Sequence, residues 1–284
     1  MPELPEVETV CRALDKLVAR KTVQKVHILR DKIRTTIPPA LKKLLPGYKI
    51  KDVERRAKYI LINLTRAKSP SLTLIAHLGM SGQFAVAGGQ KPRLREKHDH
   101  FMLDFTDGTQ LVYNDPRRFG LIEYAPTEQL GMHKLFKDTG PEPLEKTLTA
   151  KNFYARLQKS RAPIKSVLLD QKVIAGVGNI YASEALFLAC LHPQMSAAKI
   201  TPAKAAELLA AIRLVLKAAI KSGGSTLRNY KSADGITGLF QHRFKAYDRE
   251  GTPCPLKNCK GEIQKIVIAG RSTFFCPQHQ KKSC

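Results

Sequence analysis

The feature that most restricts how this chain can fold is a group of metal-ligand residues near its carboxy terminus. Cys254-x4-Cys259 is followed, after sixteen residues, by Cys276-x2-His279. Two segments of β-strand character, joined by a turn at residues 269–270, separate the two pairs. This layout is typical of a zinc ribbon, in which a β-hairpin brings two ligand pairs together around one tetrahedral Zn²⁺ ion. The sequence therefore predicts one structural zinc site.

The predicted zinc module is too short to have a hydrophobic core of its own. Bound zinc would therefore supply folding free energy, about 10 kcal/mol or more in zinc peptides. Cys284 competes with His279 as the fourth ligand, and His279 is preferred because a chain terminus is flexible. Three unrelated thiols beside an exposed histidine are the alternative. Cys11 and Cys190 stand alone in apolar surroundings and are expected to be buried, inert thiols.

The charge balance predicts a polyanionic partner. The sequence has 48 Lys and Arg against 24 Asp and Glu, a net charge of +24. Nucleic acid is the usual partner of such a protein, and an anionic membrane is the weaker alternative. No run of about 18 apolar residues exists. The acidic start Met-Pro-Glu does not resemble a secretory signal. We therefore expect a cytoplasmic protein with reduced thiols and no membrane contact.

Apolar spacing divides the chain into a strand-rich first part and a helical second part. An amphipathic helix opens the chain, with Pro5 in its first turn. Six short β-prone segments between residues 23 and 124 predict an antiparallel sandwich or barrel. A linker rich in Gly and Pro follows at residues 139–144, and then come four helical segments, the last over Pro202–Lys221.

These segments predict an α+β fold with three domains. The first, at residues 1–138, is the antiparallel β-sandwich with its N-terminal helix. The second, at residues 145–250, is helical, and its last part, residues 225–250, is expected to be a loop. The third, at residues 251–284, is the zinc hairpin.

The amino terminus carries a candidate nucleophile. Removal of Met1 would expose Pro2 as a secondary amine, and an α-amino group with a pKa of about 8 is far more often neutral at pH 7 than a lysine near 10.4. Attack of such an amine on a sugar carbon gives an iminium, a form of Schiff-base catalysis. Glu3 and Glu6 lie beside it and could act as general acid or base. The alternative is a plain helix start whose acidic residues favour the helix dipole.

Several short motifs occur in order along the whole chain. They are Pro2–Thr9 (PELPEVET), Arg55–Tyr59 (RRAKY), His77–Gly82 (HLGMSG), Lys97–His100 (KHDH), Asp115–Gly120 (DPRRFG), Gly176–Glu184 (GVGNIYASE) and Gly270–Thr273 (GRST). Each is weakly specific alone, but together they resemble the bacterial formamidopyrimidine-DNA glycosylase family of 8-oxoguanine repair enzymes. Leu4 favours this branch over the related endonuclease VIII branch.

The resemblance implies catalytic roles for four residues. Pro2 would attack C1′ of the damaged nucleoside, and Glu3 would protonate the opening sugar ring. Lys58 matches a lysine that assists β-elimination and grips phosphate. Arg271 matches an arginine at the tip of the zinc hairpin that is linked to δ-elimination.

The resemblance also implies DNA contacts and a fold. Met80, Arg117 and Phe119 would fill the space left by an everted base, which a glycosylase must extrude from the duplex. Further contacts would come from His98, Arg161 and Asn179. The implied fold is a β-sandwich followed by a helix–two-turn–helix domain with a zinc hairpin.

The implied function is that of a bifunctional DNA glycosylase and AP lyase. It would excise 8-oxoguanine and formamidopyrimidines from double-stranded DNA in base excision repair, as a monomer, with β,δ-elimination. The chain departs from the family at the zinc site, where Cys-x2-Cys is usual at both ligand pairs. This departure affects the geometry of the hairpin and therefore the direction in which Arg271 points. The rival hypothesis is a non-catalytic zinc protein that binds nucleic acid through its positive charge.

Overall fold

In the computed structural model, which describes residues 1–88, 96–225 and 240–281, the chain forms two compact units. The first contains Met1–Lys137 and Gly223–Gly238, and the second contains Asp138–Ser222 and Leu239–Cys284. Among the described residues, no helix has both the length and the apolar character needed to cross a membrane.

The first unit begins with a helix and continues as two sheets. Its elements are α1 (Leu4–Val18), β1 (Val23–Ile28), α2 (Leu41–Leu44), β2 (Lys49–Arg56), β3 (Tyr59–Thr65), β4 (Leu72–His77), β5 (Gln83–Ala87), β6 (Asp99–Phe105), β7 (Gln110–Asn114) and β8 (Leu121–Pro126). The sheets are antiparallel, with strand orders β1-β6-β7-β5 and β2-β3-β4-β8. One core draws apolar side chains from both sheets and from α1, including Leu14, Ile62 and Leu103. The predicted sandwich with an N-terminal helix is confirmed.

Helix α1 lies along strand β2, and three polar contacts fix its direction. Asp15 accepts the backbone N–H of Val53 at 2.9 Å, and the Cys11 thiol lies 3.2 Å from the carbonyl oxygen of Glu54. One turn earlier, Glu8 pairs with Arg55 in β2 at 3.0 Å. The helix therefore runs antiparallel to β2, so its first residues lie toward the turn that follows β2.

The second unit is built from helices and a hairpin. Its elements are α3 (Ala150–Leu157), α4 (Ile164–Leu169), α5 (Asn179–Leu188), α6 (Pro202–Lys221), β9 (Gln264–Ile268) and β10 (Arg271–Phe275). Eight of the ten residues of α5 are buried, from Ile180 to Phe187. Helix α6 begins with Thr201 as its N-cap, whose side chain accepts the Lys204 N–H, as the sequence predicts.

The structure groups the described chain into two compact units, and the division into three domains stays a prediction. The β9–β10 hairpin shares a core with α5, in which Phe187 packs with Ile263, Phe274 and Cys276. The segment expected at residues 251–284 is therefore part of the helical unit, because so short a hairpin has too few apolar residues for a core of its own. The stretch that begins at Gly223 belongs instead with the first unit.

Strand β2 is not among the segments that the sequence analysis identifies. Six of its eight residues are charged, and its two buried residues, Ile50 and Val53, are three positions apart. A β-bulge between Ile50 and Asp52 explains this spacing, because one extra residue breaks the two-residue alternation. Strand β5 is not among those segments either, because it lacks the alternation of apolar and polar residues: it lies at the edge of its sheet, and only Phe84 of its five residues is buried.

Two smaller expectations need correction. Cys190 is exposed and not buried; it lies in the turn after the end of α5 and has a φ of +56°. In the expected polar loop at 225–250, residues 226–239 lie outside the described residues. The described end of that loop packs through aromatic rings: Phe244 lies 5.8 Å from Phe240, centroid to centroid, and Tyr247 lies 5.0 Å from Phe274.

Candidate active site

The predicted nucleophile lies at a buried start of α1. Pro2 and Glu3 are buried, whereas Met1 is 51% exposed. Pro5 lies in the first turn of α1, where its missing N–H costs no helix hydrogen bond. Removal of Met1 would convert the Pro2 nitrogen from an amide to a secondary amine, with the Glu3 carboxylate on the adjacent residue.

Glu6 fixes this start of the helix from two sides. One carboxylate oxygen accepts the Glu3 backbone N–H at 2.9 Å, as part of a capping box. The other oxygen accepts both the backbone N–H of Ser225 at 2.8 Å and its hydroxyl at 2.9 Å. Gly224 precedes this contact with a φ of +80°, a conformation that favours glycine. Glu6 therefore joins the amino terminus to the segment that follows α6.

Lys58 lies at the turn between β2 and β3 and is only 8% exposed. Ala57, just before it, has a φ of +53°. The Arg55 guanidinium donates to the Ala57 carbonyl at 3.0 Å and to the Glu8 carboxylate at 3.0 Å. Because Glu8 belongs to the first half of α1, this ion pair holds the turn that carries Lys58 toward the same end of α1 as Pro2.

Three of the residues implied to contact DNA lie on two adjacent loops. Met80, after β4, is 44% exposed, and Phe119, before β8, is 46% exposed. The Arg117 guanidinium lies 5.0 Å from the centre of the Phe119 ring, within range of a cation–π contact. Gly79 allows the loops to approach, since a Cβ there would lie 2.5 Å from the Phe119 carbonyl carbon. Exposed apolar side chains at loop tips suit a wedge that enters DNA.

His77 supports the first of these loops in its neutral form. Its Nδ1 accepts the Gly79 backbone N–H at 2.9 Å, which requires an unprotonated Nδ1. Burial lowers the pKa of His77 to about 4, and the positive charges of Arg34 and Lys58 act in the same direction. The hydrogen bond to the Met80 loop is therefore stable at neutral pH.

In the second unit, Asn179 and the residue after Arg271 are in direct contact. Asn179 is the first residue of α5, and its Nδ2 donates to the Ser272 carbonyl at 2.9 Å. The same carbonyl accepts from the ammonium of Lys165 at 3.2 Å. Arg271 itself is exposed at the start of β10, after the tight turn at Ala269 and Gly270, both with positive φ.

Lys165 is a buried charge that holds this region together. It is 0% exposed, and its ammonium also donates to the Ser183 hydroxyl at 2.9 Å and to the Thr273 hydroxyl at 3.0 Å. It therefore joins α4, α5 and β10 beside the exposed Arg271. A buried lysine needs such partners, because an unsolvated ammonium is costly.

Three of the four predicted metal ligands come together. One sulfur each from Cys254, Cys259 and Cys276 lie within 4.8 Å of one another. Burial, the largest influence, raises the pKa of Cys254 to about 11, and the neighbouring thiols add to the shift. A metal would displace these protons, because thiolates are the ligand form. His279 is outside this group: its Nε2 lies 2.8 Å from the Phe187 carbonyl oxygen. Cys284 lies outside the described residues.

Two protein-family models match this chain. The model of the formamidopyrimidine-DNA glycosylase N-terminal domain matches residues 1–122, and the model of the formamidopyrimidine-DNA glycosylase H2TH domain matches residues 139–231. Relatives named formamidopyrimidine-DNA glycosylase from Dinoroseobacter shibae and Rhodospirillum rubrum are 43% and 44% identical to this chain, over 99% of its length and 100% of theirs. The chain belongs to the formamidopyrimidine-DNA glycosylase family. It is thus a DNA glycosylase and AP lyase of base excision repair.

Solved structures of this glycosylase family have the same fold. The Lactococcus lactis Fpg in complex with abasic-site DNA has a TM-score of 0.88 at 39% identity, covering 99% of this chain and 100% of that one. The MutM structure in complex with carbocyclic 8-oxo-G DNA gives 0.87 at 39% identity and the same coverage.

Sequence reasoning did not single out several residues that support the candidate site. Asp115, Ser81, Lys165 and Ser225 all make buried or half-buried hydrogen bonds to site residues or their loops. The Asp115-Pro116 pair does predict a turn, but it does not predict the hydrogen-bond partners of Asp115, of which Ser81 is distant in sequence. His98 is half-buried and Arg161 is exposed, and each stays a prediction as a DNA contact.

Proposed function

We propose that this glycosylase excises 8-oxoguanine and formamidopyrimidines from duplex DNA through a Schiff base on Pro2, followed by β,δ-elimination. The observation that carries the proposal is the buried start of α1, where Pro2 and Glu3 lie toward the turn that holds Lys58. Solved relatives include a Lactococcus lactis Fpg mutant in complex with Fapy-dG DNA and MutM in complex with carbocyclic 8-oxo-G DNA, which supports the proposed lesions.

The proposed chemistry assigns one step to each residue at this end of α1. The Pro2 nitrogen forms a bond to C1′, and the bond from C1′ to the damaged base breaks. Glu3 protonates the ring oxygen as the sugar opens, which leaves an iminium on Pro2. Lys58 binds phosphate and assists β-elimination at the resulting site. Glu6 keeps the Glu3 backbone in place through the capping box.

The remaining residues bind and reshape the DNA. Met80, Arg117 and Phe119 enter the space left by the everted nucleotide, at a cost of a few kcal/mol for unstacking. His98, Arg161 and Asn179 contact the DNA, and the Asn179 contact is to a phosphate. Asn179 starts the ten-residue α5, whose free backbone N–H groups favour an anion. The enzyme acts as a monomer on double-stranded DNA that contains oxidised purines.

A structural Zn²⁺ ion would be held by Cys254, Cys259 and Cys276, with His279 as the fourth ligand. The donor set fits zinc, because three thiolates and one imidazole form a known tetrahedral site. His279 Nε2 already faces the Phe187 carbonyl, so Nδ1 is the nitrogen left for the metal. The ion would stabilise the hairpin that presents Arg271 for δ-elimination.

Borohydride trapping tests the proposal. The untagged enzyme, confirmed by mass to begin at Pro2, should form a covalent complex with 8-oxoguanine duplex DNA that maps to its first peptide. A chain with an uncleaved amino-terminal tag keeps the Pro2 nitrogen in a peptide bond and should bind the same DNA without trapping. Trapping by the tagged chain would contradict the assignment of Pro2.

A second pair of measurements separates the two activities. Glu3→Gln should lose base excision but keep strand cleavage at a preformed abasic site, since only the first step needs its proton. A panel of lesion duplexes with end-group analysis would report the preferred base and whether δ-elimination follows β-elimination. A DNA-binding protein without catalysis would show salt-dependent affinity and no cleavage of any duplex in the panel.

A further inference from the structure

The three residues proposed to enter the DNA come from two loops that are distant in sequence. Met80 follows β4, whereas Arg117 and Phe119 lie between β7 and β8. Their side chains are exposed, so packing of the side chains themselves does not fix them. The backbone of each loop must therefore be held by something else if the three are to enter a duplex together.

Asp115 and Ser81 connect the two loops. Asp115 is 0% exposed, and one of its carboxylate oxygens accepts the Ser81 hydroxyl at 2.7 Å. Its other oxygen accepts the Gly120 backbone N–H at 2.8 Å. The Ser81 oxygen in turn accepts the Arg117 backbone N–H at 3.2 Å. Three hydrogen bonds through two side chains thus link the residue after Met80 to both ends of the segment that carries Arg117 and Phe119.

The backbone of Asp115 is held by residues at the start of β6. The Asp115 backbone N–H donates to the His98 carbonyl at 3.0 Å, and the Asp115 carbonyl lies 2.8 Å from Nε2 of the buried His100. Gly79 brings the backbones of the two loops into contact. The loops therefore form one framework with a fixed spacing between their exposed tips.

We propose that Ser81 and Asp115 are positioning residues that hold Met80, Arg117 and Phe119 as a single wedge and thereby determine how efficiently a paired base is everted. The inference rests on the proposed function. A wedge whose parts can move independently must be ordered as it enters the stack, which slows excision from a duplex. An abasic site in single-stranded DNA has no paired base to displace, so elimination there does not need the wedge.

Two substitutions and two comparisons test this role. Ser81→Ala removes the hydroxyl that joins the loops, and Asp115→Asn replaces one accepting oxygen with a donor. Ser81→Thr keeps the hydroxyl. Ser69→Ala is the matched control, because the Ser69 hydroxyl accepts from Arg66 at 3.1 Å in an exposed hydrogen bond elsewhere in the same unit. For each protein, the single-turnover rate of 8-oxoguanine excision from a duplex is compared with the rate of elimination at an abasic site in a single strand.

Ser81→Ala should lower duplex excision by about tenfold or more while single-strand elimination stays within about twofold of wild type. Ser81→Thr should recover most of the duplex rate, and Ser69→Ala should change neither. Asp115→Asn should show the same selective loss; if it fails to fold, Ser81→Ala decides.

Two outcomes would overturn the inference: an equal fall in both rates for Ser81→Ala, or no fall in either. Failure of the proposed function would look different. In that case the wild-type enzyme itself would give no borohydride-trapped complex with either DNA. A wild type that traps normally, beside a Ser81→Ala variant with the wild-type duplex rate, would reject the positioning role alone.

Discussion

The Glu6 carboxylate accepts the backbone N–H of Ser225 at 2.8 Å, although 219 positions separate the two residues. The same side chain caps α1 at Glu3. A single buried residue thus fixes both the start of the first helix and the segment that follows the last one. The candidate site at Pro2 therefore depends on a contact between residues that are far apart in the sequence.

Glu6→Gln should destabilise the protein. The amide keeps one accepting oxygen but places an NH₂ donor against a backbone N–H donor, so one buried hydrogen bond is lost. We expect a fall of about 1–3 kcal/mol in the free energy of unfolding, measured by urea denaturation. Glu128→Gln, an exposed change in the same unit, should stay within about 0.5 kcal/mol of wild type. Equal stabilities for the two variants would contradict the role assigned to Glu6.

Met80→Ala should lower excision without lowering stability. The Met80 side chain is 44% exposed, so truncation removes little buried surface, and the unfolding free energy should change by less than about 1 kcal/mol. Excision of 8-oxoguanine from duplex DNA should fall several-fold because part of the wedge is gone. Met132→Ala, at a methionine that is 75% exposed, is the matched control and should leave excision unchanged.

His77 should make stability depend on pH in the acidic range. Its pKa is lowered from 6.5 to about 4 by burial first and by Arg34 and Lys58 next, against the opposing charge of Asp115. As pH falls below 6.5, His77 becomes protonated in the unfolded chain, whereas in the folded protein it stays neutral until about pH 4. The contribution of neutral His77 is therefore complete above pH 6.5 and is lost between 6.5 and 4.

The measurement compares wild type with His77→Gln, whose side chain does not titrate. Between about pH 7.5 and about pH 4.5, wild type should lose about 2.5 kcal/mol more unfolding free energy than the variant. Parallel pH profiles for the two proteins would show that His77 titrates normally in the folded state.

Zinc removal should destabilise the second unit. Purified protein should contain about one equivalent of zinc, and chelation should lower the melting temperature of the helical unit, whose core includes Cys276 and Phe274. Cys254→Ser should lower zinc affinity by orders of magnitude, whereas Cys190→Ser, at an exposed thiol outside the cluster, should not.

The fourth ligand can be tested separately. His279→Ala should weaken zinc binding if Nδ1 is a ligand. It should also shift strand-cleavage products from δ- toward β-elimination, because a less stable hairpin would no longer hold Arg271 in place. Unchanged zinc affinity in His279→Ala would remove this residue from the metal site, and the three thiols would then need a ligand other than His279.

The extent of successful prediction differs between elements for physical reasons. Helix α6 is predicted to the residue, because a threonine N-cap, a proline in the first turn and a closing pair of glycines are local signals. Strand β2 is not predicted. Its bulge forms only through pairing with β3, and its charged residue Arg55 finds its partner, Glu8, in α1. The zinc-ribbon spacing predicted the thiol cluster, but not that the His279 Nε2 faces the Phe187 carbonyl.

The sequence by itself determined the excess positive charge, the cysteine cluster, the first helix, helix α6 and the family, because all of these are read from composition, local spacing or matching motifs. Tertiary structure alone decided which distant residues meet: Glu6 with Ser225, Ser81 with Asp115, and Lys165 with Ser272. A buried polar group must find a partner wherever the fold places one, and nothing in its neighbouring sequence specifies that partner.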